Sequence, residues 1–186
     1  MSPERTAVSS RSVETPIGRL VLTATSRGLS RIDLVTDNAP EEPLDGSGPG
    51  AEHLQHAERA LRAYFSGAPS TVFGDVPLDP EGTPFQRSVW EALRSIPHGT
   101  TISYRMLAER IGKPAAMRAV GLANGRNPLP IVVPCHRVIG ADGSLTGFGL
   151  GVDVKAWLLV HEGAAEPFAE PVTPRTHLLR RASAAR

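Results

Sequence analysis

The one cysteine of this 186-residue chain, Cys135, stands in the run Pro134-Cys135-His136-Arg137, where a thiol, an imidazole and a guanidinium follow one another directly. A thiolate is a potent nucleophile, and an adjacent base or cationic neighbours are what make one available near neutral pH. Pro134 cannot donate a ladder hydrogen bond, so it ends the strand-like apolar run Ile131-Val132-Val133 and puts Cys135 at a strand end or turn. A cysteine buried inside a strand would be inert, whereas one exposed at this turn beside His136 and Arg137 would have its thiol pKa lowered. Side chains of neighbouring residues usually diverge, so His136 needs a bridging water or an unusual turn to take the thiol proton. A third group should orient the imidazole. Glu162, at the end of the last helical stretch, is the acid best placed to do so, although a solvated carboxylate at a helix end also fits. With no second cysteine, an internal disulfide and a multi-cysteine zinc site are excluded, leaving only a weaker metal site of His and carboxylates conceivable.

Charge is unevenly distributed. Residues 1–81 carry seven Lys/Arg against twelve Asp/Glu, residues 82–163 nine against five and residues 164–186 four against two, so the net +1 conceals segments of −5, +4 and +2. The second segment would attract a polyanion such as nucleic acid, a reading the charges permit without requiring. The length suits one ordinary domain or two small ones. No apolar run follows Glu4 and Arg5 as in a signal peptide, and no stretch approaches the roughly 18 apolar residues of a membrane span, so a cytoplasmic protein without membrane attachment is expected.

The elements that must position Cys135 can be read from periodicity and turn chemistry. Leu20, Leu22 and Ala24 alternate on one strand, a turn falls near Ser26-Arg27-Gly28, and Ile32 and Leu34 continue on the next, which predicts a hairpin. Residues 38–50, rich in Pro, Gly and acid, read as a loop, and Leu54, Ala57, Leu61, Tyr64 and Phe65 then recur at helical spacing up to Gly67. The stretch from Gly67 to Gly82 reads as an interdomain crossing. Thr83, Pro84 and Gln86 form a capping box with proline in the first turn, opening a helix whose Phe85, Val89, Ala92, Leu93 and Ile96 fall on a core-facing side. Ser103 can cap a short helix to about Ile111. Gly112-Lys113-Pro114 then turns into a second helix running to about Asn124 and closed by Gly125, so the pair suggests a helix-turn-helix. Its second helix carries Ala115, Ala116, Ala119, Gly121 and Ala123 with Arg118 among them, which suits close approach either to a neighbouring helix or to a nucleic-acid groove. Gly140-Ala141-Asp142-Gly143 makes a turn, residues 146–151 form a glycine-rich loop, and Asp153 can cap a final helix bearing Val154, Trp157, Leu158 and His161.

The run from Asn127 to Val138, followed by Lys155-Ala156-Trp157-Leu158-Leu159-Val160-His161-Glu162-Gly163, closely resembles the O6-alkylguanine-DNA alkyltransferases. The likeness covers nearly all of residues 83–163, while residues 10–66 resemble that family's variable N-terminal domain in outline. The resemblance implies an α/β N-terminal domain with a small antiparallel sheet plus helix over residues 1–81. A mostly helical, winged helix-turn-helix-like domain over 82–165 follows, then a flexible tail over 166–186, where Pro167, Pro171, Pro174 and four arginines have no family counterpart. It further implies that Cys135 accepts an alkyl group from guanine O6, or thymine O4, in double-stranded DNA, once and irreversibly. His136, through water, and Glu162 would generate the thiolate. Tyr104 would help to rotate the nucleotide and hydrogen-bond the guanine, Arg118 would fill the vacated space in the duplex, and Asn127 would tie the binding helix to the active-site strand.

Val138, Phe148, Gly149 and Lys155 would line the base pocket by the same likeness, and Arg126 with the small residues Ala115, Ala116, Ala119 and Gly121 would meet DNA. Gly149 stands where family members often carry serine, so a contact to O6 there would come from backbone N–H. O6 lies inside a base pair, hence the nucleotide must leave the stack before in-line attack. The implied protein is a monomer needing no cofactor, no metal and no obligate protein partner. Alternatives remain at this level. A non-repairing lesion sensor of the same kin would lack the acceptor cysteine, a self-methylating regulator would need a metal-binding cysteine domain, and a cysteine hydrolase using Cys135, His136 and Glu162 would leave Tyr104, Arg118 and Asn127 without a role.

Overall fold

The structure is a computed structural model that describes residues 8–35 and 46–164. The tail expected to be flexible, and residues 38–45 of the expected acidic loop, lie outside the described residues. The chain divides into two compact units, with the main boundary between Glu81 and Gly82.

The first unit is built on a three-stranded sheet in the order β1 (Ser9–Thr15), β2 (Gly18–Thr25) and β3 (Gly28–Leu34). The anticipated hairpin is β2–β3, antiparallel, with Leu22 opposite Ile32 and a bulge between Thr23 and Ala24. Leu20, Leu22 and Ala24 all point inward, as period-two alternation requires. β1 was not expected. Its sequence Ser-Ser-Arg-Ser-Val-Glu-Thr contains one apolar residue, Val13, and only that residue and Ser9 are buried, so the hydrophobic signal is too weak to read.

α1 (Ala51–Phe65) packs on β1 and β3 through Leu54, Ala57, Ala60, Leu61 and Tyr64. The stretch after Gly67 is not a free crossing. Ser70–Phe73 form a 3-10 turn, Phe73 and Val76 are buried, and residues 77–79 run beside β3, with Leu29 N–H donating to Pro77 O and Asp79 N–H to Leu29 O, both at 2.8 Å. Backbone pairing to an open sheet edge cannot be inferred from Pro/Gly content, which is why composition misleads here. A methyl on Gly28, whose φ is +157°, would lie 2.6 Å from Pro77 O, so that pairing requires glycine.

The second unit is mostly helical. α2 (Pro84–Arg94) begins with the expected reciprocal capping box, Gln86 N–H to Thr83 Oγ1 and Thr83 N–H to Gln86 Oε1. Val89, Leu93 and Ile96 are buried and Phe85 and Ala92 half-buried. Trp90, absent from the expected core, is also buried and donates its indole N–H to Ala123 O at 2.9 Å, clamping α2 to the helix-turn-helix. That motif consists of α3 (Tyr104–Arg110), capped by Ser103, and α4 (Met117–Gly125), joined through Gly112 at φ +68° and a 3-10 turn at Pro114–Ala116. A short parallel pair, β4 (Ile102–Ser103) with β5 (Val138–Ile139), ties the start of α3 to the segment just after Cys135. α5 (Val152–His161) closes the unit with Gly151 as N-cap. Asp153 sits in the first turn and caps nothing, contrary to expectation. No helix of the described residues is long and apolar enough to cross a membrane.

Candidate active site and nucleic-acid interface

The apolar run Ile131-Val132-Val133, expected as a strand, folds as part of a buried loop. Ile131 and Val132 turn, Val133 N–H donates back to Leu129 O at 2.8 Å, and Ile131 adopts φ +75°. A continuous apolar run announces burial but not its backbone shape, and Ile131, Val132 and Val133 are indeed all buried. A β-branched residue at positive φ is strained, and here it bends the chain four residues before the cysteine.

Cys135 opens a 3-10 turn, Cys135–Arg137, and is only 3% exposed, so the expected solvent-facing thiol is corrected to a buried one. The consequence for its acidity is also opposite to expectation. Burial pushes the thiol up to about 11, opposed by a hydrogen bond from Asn127 and by the charge of Lys155. Asn127 Nδ2 donates to Sγ at 3.0 Å and to Val133 O at 2.8 Å, while its Oδ1 accepts from Leu129 N–H. One amide therefore joins the end of α4 to the loop and to the sulfur. Asn127→Ala removes three hydrogen bonds in a buried loop and is expected to cost about 2–4 kcal/mol and to raise the thiol pKa further. Urea unfolding and the pH dependence of iodoacetamide labelling check both, and unchanged values would refute the assignment.

His136 is wholly buried, with its ring edge-on to Phe148, and its Nε2 lies 2.9 Å from Glu162 Oε1. Burial raises the Glu162 carboxyl, but hydrogen bonds from His136 and Arg137, and their charges, outweigh it and hold the group well below the usual carboxylate range. Burial likewise lowers His136 despite the Glu162 hydrogen bond. An ionised carboxylate only accepts, so Nε2 of the neutral ring carries the proton and Nδ1 carries the lone pair. Nδ1 is buried and has no hydrogen-bonding partner among the described residues, which leaves it available to take a proton.

Arg137 has a role that the sequence reading did not assign. It is the largest fully buried side chain among the described residues, donating Nε to Glu162 Oε2 at 2.7 Å, Nη2 to Glu162 Oε1 at 2.8 Å and Nη1 to Ile96 O at 2.6 Å. This bidentate geometry is what offsets the desolvation of a buried ion pair. Gly99 N–H, at 3.4 Å from Oε2, and His98 Nδ1, at 3.9 Å from Oε1, also approach this carboxylate. Pro97-His98-Gly99 offered no pattern from which that could be foreseen.

Lys155 does not present a free ammonium to a pocket. Burial lowers it to about 8 against the influence of Cys135, and Nζ donates to Val138 O at 2.6 Å and Thr146 O at 2.9 Å. Tyr104, half-buried, donates its hydroxyl to the same Thr146 O at 3.2 Å, so both residues hold the glycine-rich loop. Val138 and Phe148 are buried and Gly149 is exposed. On the helix-turn-helix, Ala115, Arg118, Ala119 and Arg126 are exposed, Ala116 and Gly121 half-buried, and Ala123 faces inward to receive Trp90. Gly121 faces the Tyr104 ring, where a methyl would come within 3.7 Å.

Comparison with known proteins agrees with this arrangement. The model of the 6-O-methylguanine DNA methyltransferase DNA binding domain matches residues 84–164, and that of the 6-O-methylguanine DNA methyltransferase ribonuclease-like domain matches residues 9–80. The methylated-DNA--protein-cysteine methyltransferase of Methanosarcina acetivorans is 48% identical over 151 residues, 81% of this chain and 96% of that protein. Its namesake from Mycolicibacterium paratuberculosis is 48% identical over 157 residues, 84% of this chain and 93% of that one. Among solved structures, the O6-methylguanine methyltransferase of Mycobacterium tuberculosis superposes with a TM-score of 0.72 at 44% identity, covering 88% of this chain and 97% of that one. A Mycobacterium tuberculosis structure in complex with DNA gives 0.71 at 44% identity, covering 83% and 92%. With a buried cysteine followed by a His136–Glu162–Arg137 array, in a unit that holds a helix-turn-helix, and with both family models matched in order along the chain, the protein belongs to the O6-methylguanine DNA methyltransferase family.

Proposed function

We propose that this protein repairs alkylated DNA by moving the alkyl group from guanine O6 in a duplex onto Sγ of Cys135. The observation that carries the reading is that the residue following the buried thiol is an imidazole whose tautomer is locked by an ionised carboxylate. In this reading the thiol proton passes through a bridging water to His136 Nδ1, and Glu162 stabilises the imidazolium that forms. The Asn127 amide and the Lys155 charge favour the thiolate. Sulfur then attacks the alkyl carbon in line, the S–C bond forms as the C–O6 bond breaks, and the electron pair left on the base is neutralised by a proton. The product is a thioether and an unmodified guanine. A thioether is stable and no group in the site can cleave it, so each molecule acts once.

A thiol pKa of about 11 describes the free protein, and it means that the resting sulfur is protonated and shielded. The attack therefore belongs to the complex, in which the extruded nucleotide opens the glycine-rich loop held by Tyr104 and Lys155. Tyr104 then exchanges Thr146 O for the base. Val138, Phe148 and Gly149 line the pocket and Lys155 shapes it through the Val138 carbonyl. Arg118 occupies the gap in the duplex, while Ala115, Ala116, Ala119, Gly121 and Arg126 face the DNA backbone and groove. No cofactor or obligate protein partner enters the scheme, and the site of action is the cytoplasm.

Mass spectrometry after mixing the protein with a duplex containing one O6-methylguanine tests the proposal, with Cys135→Ala as control. Gain of one methyl per molecule, located on the peptide carrying Cys135 and absent from the variant, is expected. Tight binding without a mass change would replace alkyl transfer by lesion sensing. Neither binding nor transfer, with turnover of an ester instead, would favour a hydrolase.

A further inference from the structure

α4 turns Val120, Ala123 and Asn124 into the core, while Arg118 and Leu122 on its outer side and Arg126 at its C-cap lie four residues apart. Spacing of i, i+4 and i+8 makes these three one ridge, inclined only slightly to the helix axis. Leu122 is 57% exposed, the most exposed large apolar side chain among the described residues, and it stands between two guanidinium groups. The fold gives it no packing task, since α4 is already held by its buried side and by the Trp90 indole. A single exposed leucine is ordinary on a protein surface. Its position in the middle of a cationic ridge, on the helix that also carries Arg118, is what gives it meaning.

We infer that Leu122 is a specificity-determining residue that seats on the floor of the duplex minor groove and disfavours a G·C pair near the lesion. The inference rests on the alkyl-transfer reading above. The occupant is a duplex because Arg126 offers a cation to the phosphates while Arg118 enters the stack, and the groove is the minor one because the exposed small residues Ala115 and Ala119 let the helix come close to a cleft too narrow for bulkier side chains. Four residues of helix advance about 6 Å, so Leu122 lies about two base-pair steps of 3.4 Å from the point where Arg118 enters the stack. There the minor-groove floor differs between base pairs chiefly by the guanine 2-amino group, a donor that A·T pairs lack. A leucine methyl pressed on that amino group strips it of water and offers no acceptor. The same methyl on an A·T floor loses nothing comparable and packs on the sugar walls. The small neighbours Ala115 and Ala119 make no such distinction, because they do not reach as far.

Methyl transfer rates on duplexes carrying O6-methylguanine, with A·T, G·C or hypoxanthine·C placed two pairs from the lesion on either side, test the inference. Hypoxanthine removes the 2-amino group and keeps the rest of the pair. On one side of the lesion the protein is expected to react about tenfold more slowly with G·C than with A·T, hypoxanthine·C behaving as A·T. Leu122→Ala, a substitution on an exposed helix position, is expected to abolish that difference, and to slow duplex transfer far more than reaction with free O6-benzylguanine. Equal rates on all three duplexes, a preference that survives in Leu122→Ala, or equal losses on duplex and free base would each overturn the role of Leu122. Failure of the unsubstituted protein to take up methyl from any of the duplexes would instead overturn the alkyl-transfer reading itself.

Discussion

Glu162→Gln is expected to produce the largest loss of stability of any single substitution in the site, together with loss of alkyl transfer. The carboxylate accepts two hydrogen bonds from Arg137 and one from His136 in a region from which solvent is excluded. An amide can replace part of that acceptor capacity but not the charge, and its own N–H donors face those of Arg137. Leaving one partner of a buried ion pair uncompensated costs about 3–5 kcal/mol, out of the roughly 5–15 kcal/mol typical of a whole domain. The same change releases the His136 tautomer, so Nδ1 no longer carries a reliable lone pair. Urea unfolding and methyl uptake report the two effects separately. A midpoint close to that of the unsubstituted protein would show that the ion pair contributes little.

The sign of the pH dependence follows from the same contacts. Glu162 is held below the ordinary carboxylate range, so its contribution is complete above about pH 4.3 and is lost as the pH falls further. His136 is also held below its ordinary value, hence the unfolded chain binds a proton that the folded one refuses as the pH drops below about 6.5, and stability declines there too. Acid should therefore destabilise the second unit in two stages. The difference between the unsubstituted protein and Glu162→Gln should shrink through the lower stage, where only the unsubstituted protein loses a carboxylate. A difference that stays constant to pH 3 would contradict the assignment of the low-titrating group to Glu162.

Arg118→Ala is the second large effect expected, and it falls on activity with almost none on stability. The side chain is exposed on α4 and makes no hydrogen bond among the described residues, so truncation costs the fold little. If Arg118 fills the space left by the extruded nucleotide, its removal returns the unstacking cost of a few kcal/mol to the reaction, which slows transfer from duplex DNA by about a hundredfold. Reaction with free O6-benzylguanine, which needs no extrusion, should change little. Equal losses on both substrates would refute the finger role and point to a disturbed pocket.

Elements announced by local chemistry were legible. The Thr83-Pro84-Gln86 box, the Ser103 cap and the Gly112 turn appear as anticipated because capping and positive φ are decided within a few residues. The β2–β3 hairpin and α1 followed from periodicity for the same reason. The family resemblance rested on a contiguous run around Cys135 and on the order of elements, both of which are properties of the chain. Glu162 as the partner of His136 was foreseen through chemical need: an imidazole base requires an orienting acceptor, and few acids stood near a helix end.

What remained hidden depended on where side chains meet. Whether the thiol is open to water or closed off follows from how the buried loop that leads to it folds, and the bend at Ile131 uses a positive φ which no isoleucine advertises. The rise of the thiol pKa is a consequence of burial, a property of the assembled unit and not of the residues adjacent to it in sequence. Arg137 reads as a surface cation in any linear scheme, yet 25 residues separate it from the carboxylate that draws it inside. Lys155 from α5 and Tyr104 from the start of α3 meet at the Thr146 carbonyl, and the β4–β5 pairing holds α3 beside the segment to which Lys155 also donates. The chain carries its reaction in the order of its residues, while the protonation state of the sulfur at rest is decided by the low-dielectric surroundings that exist once the second unit has closed around it.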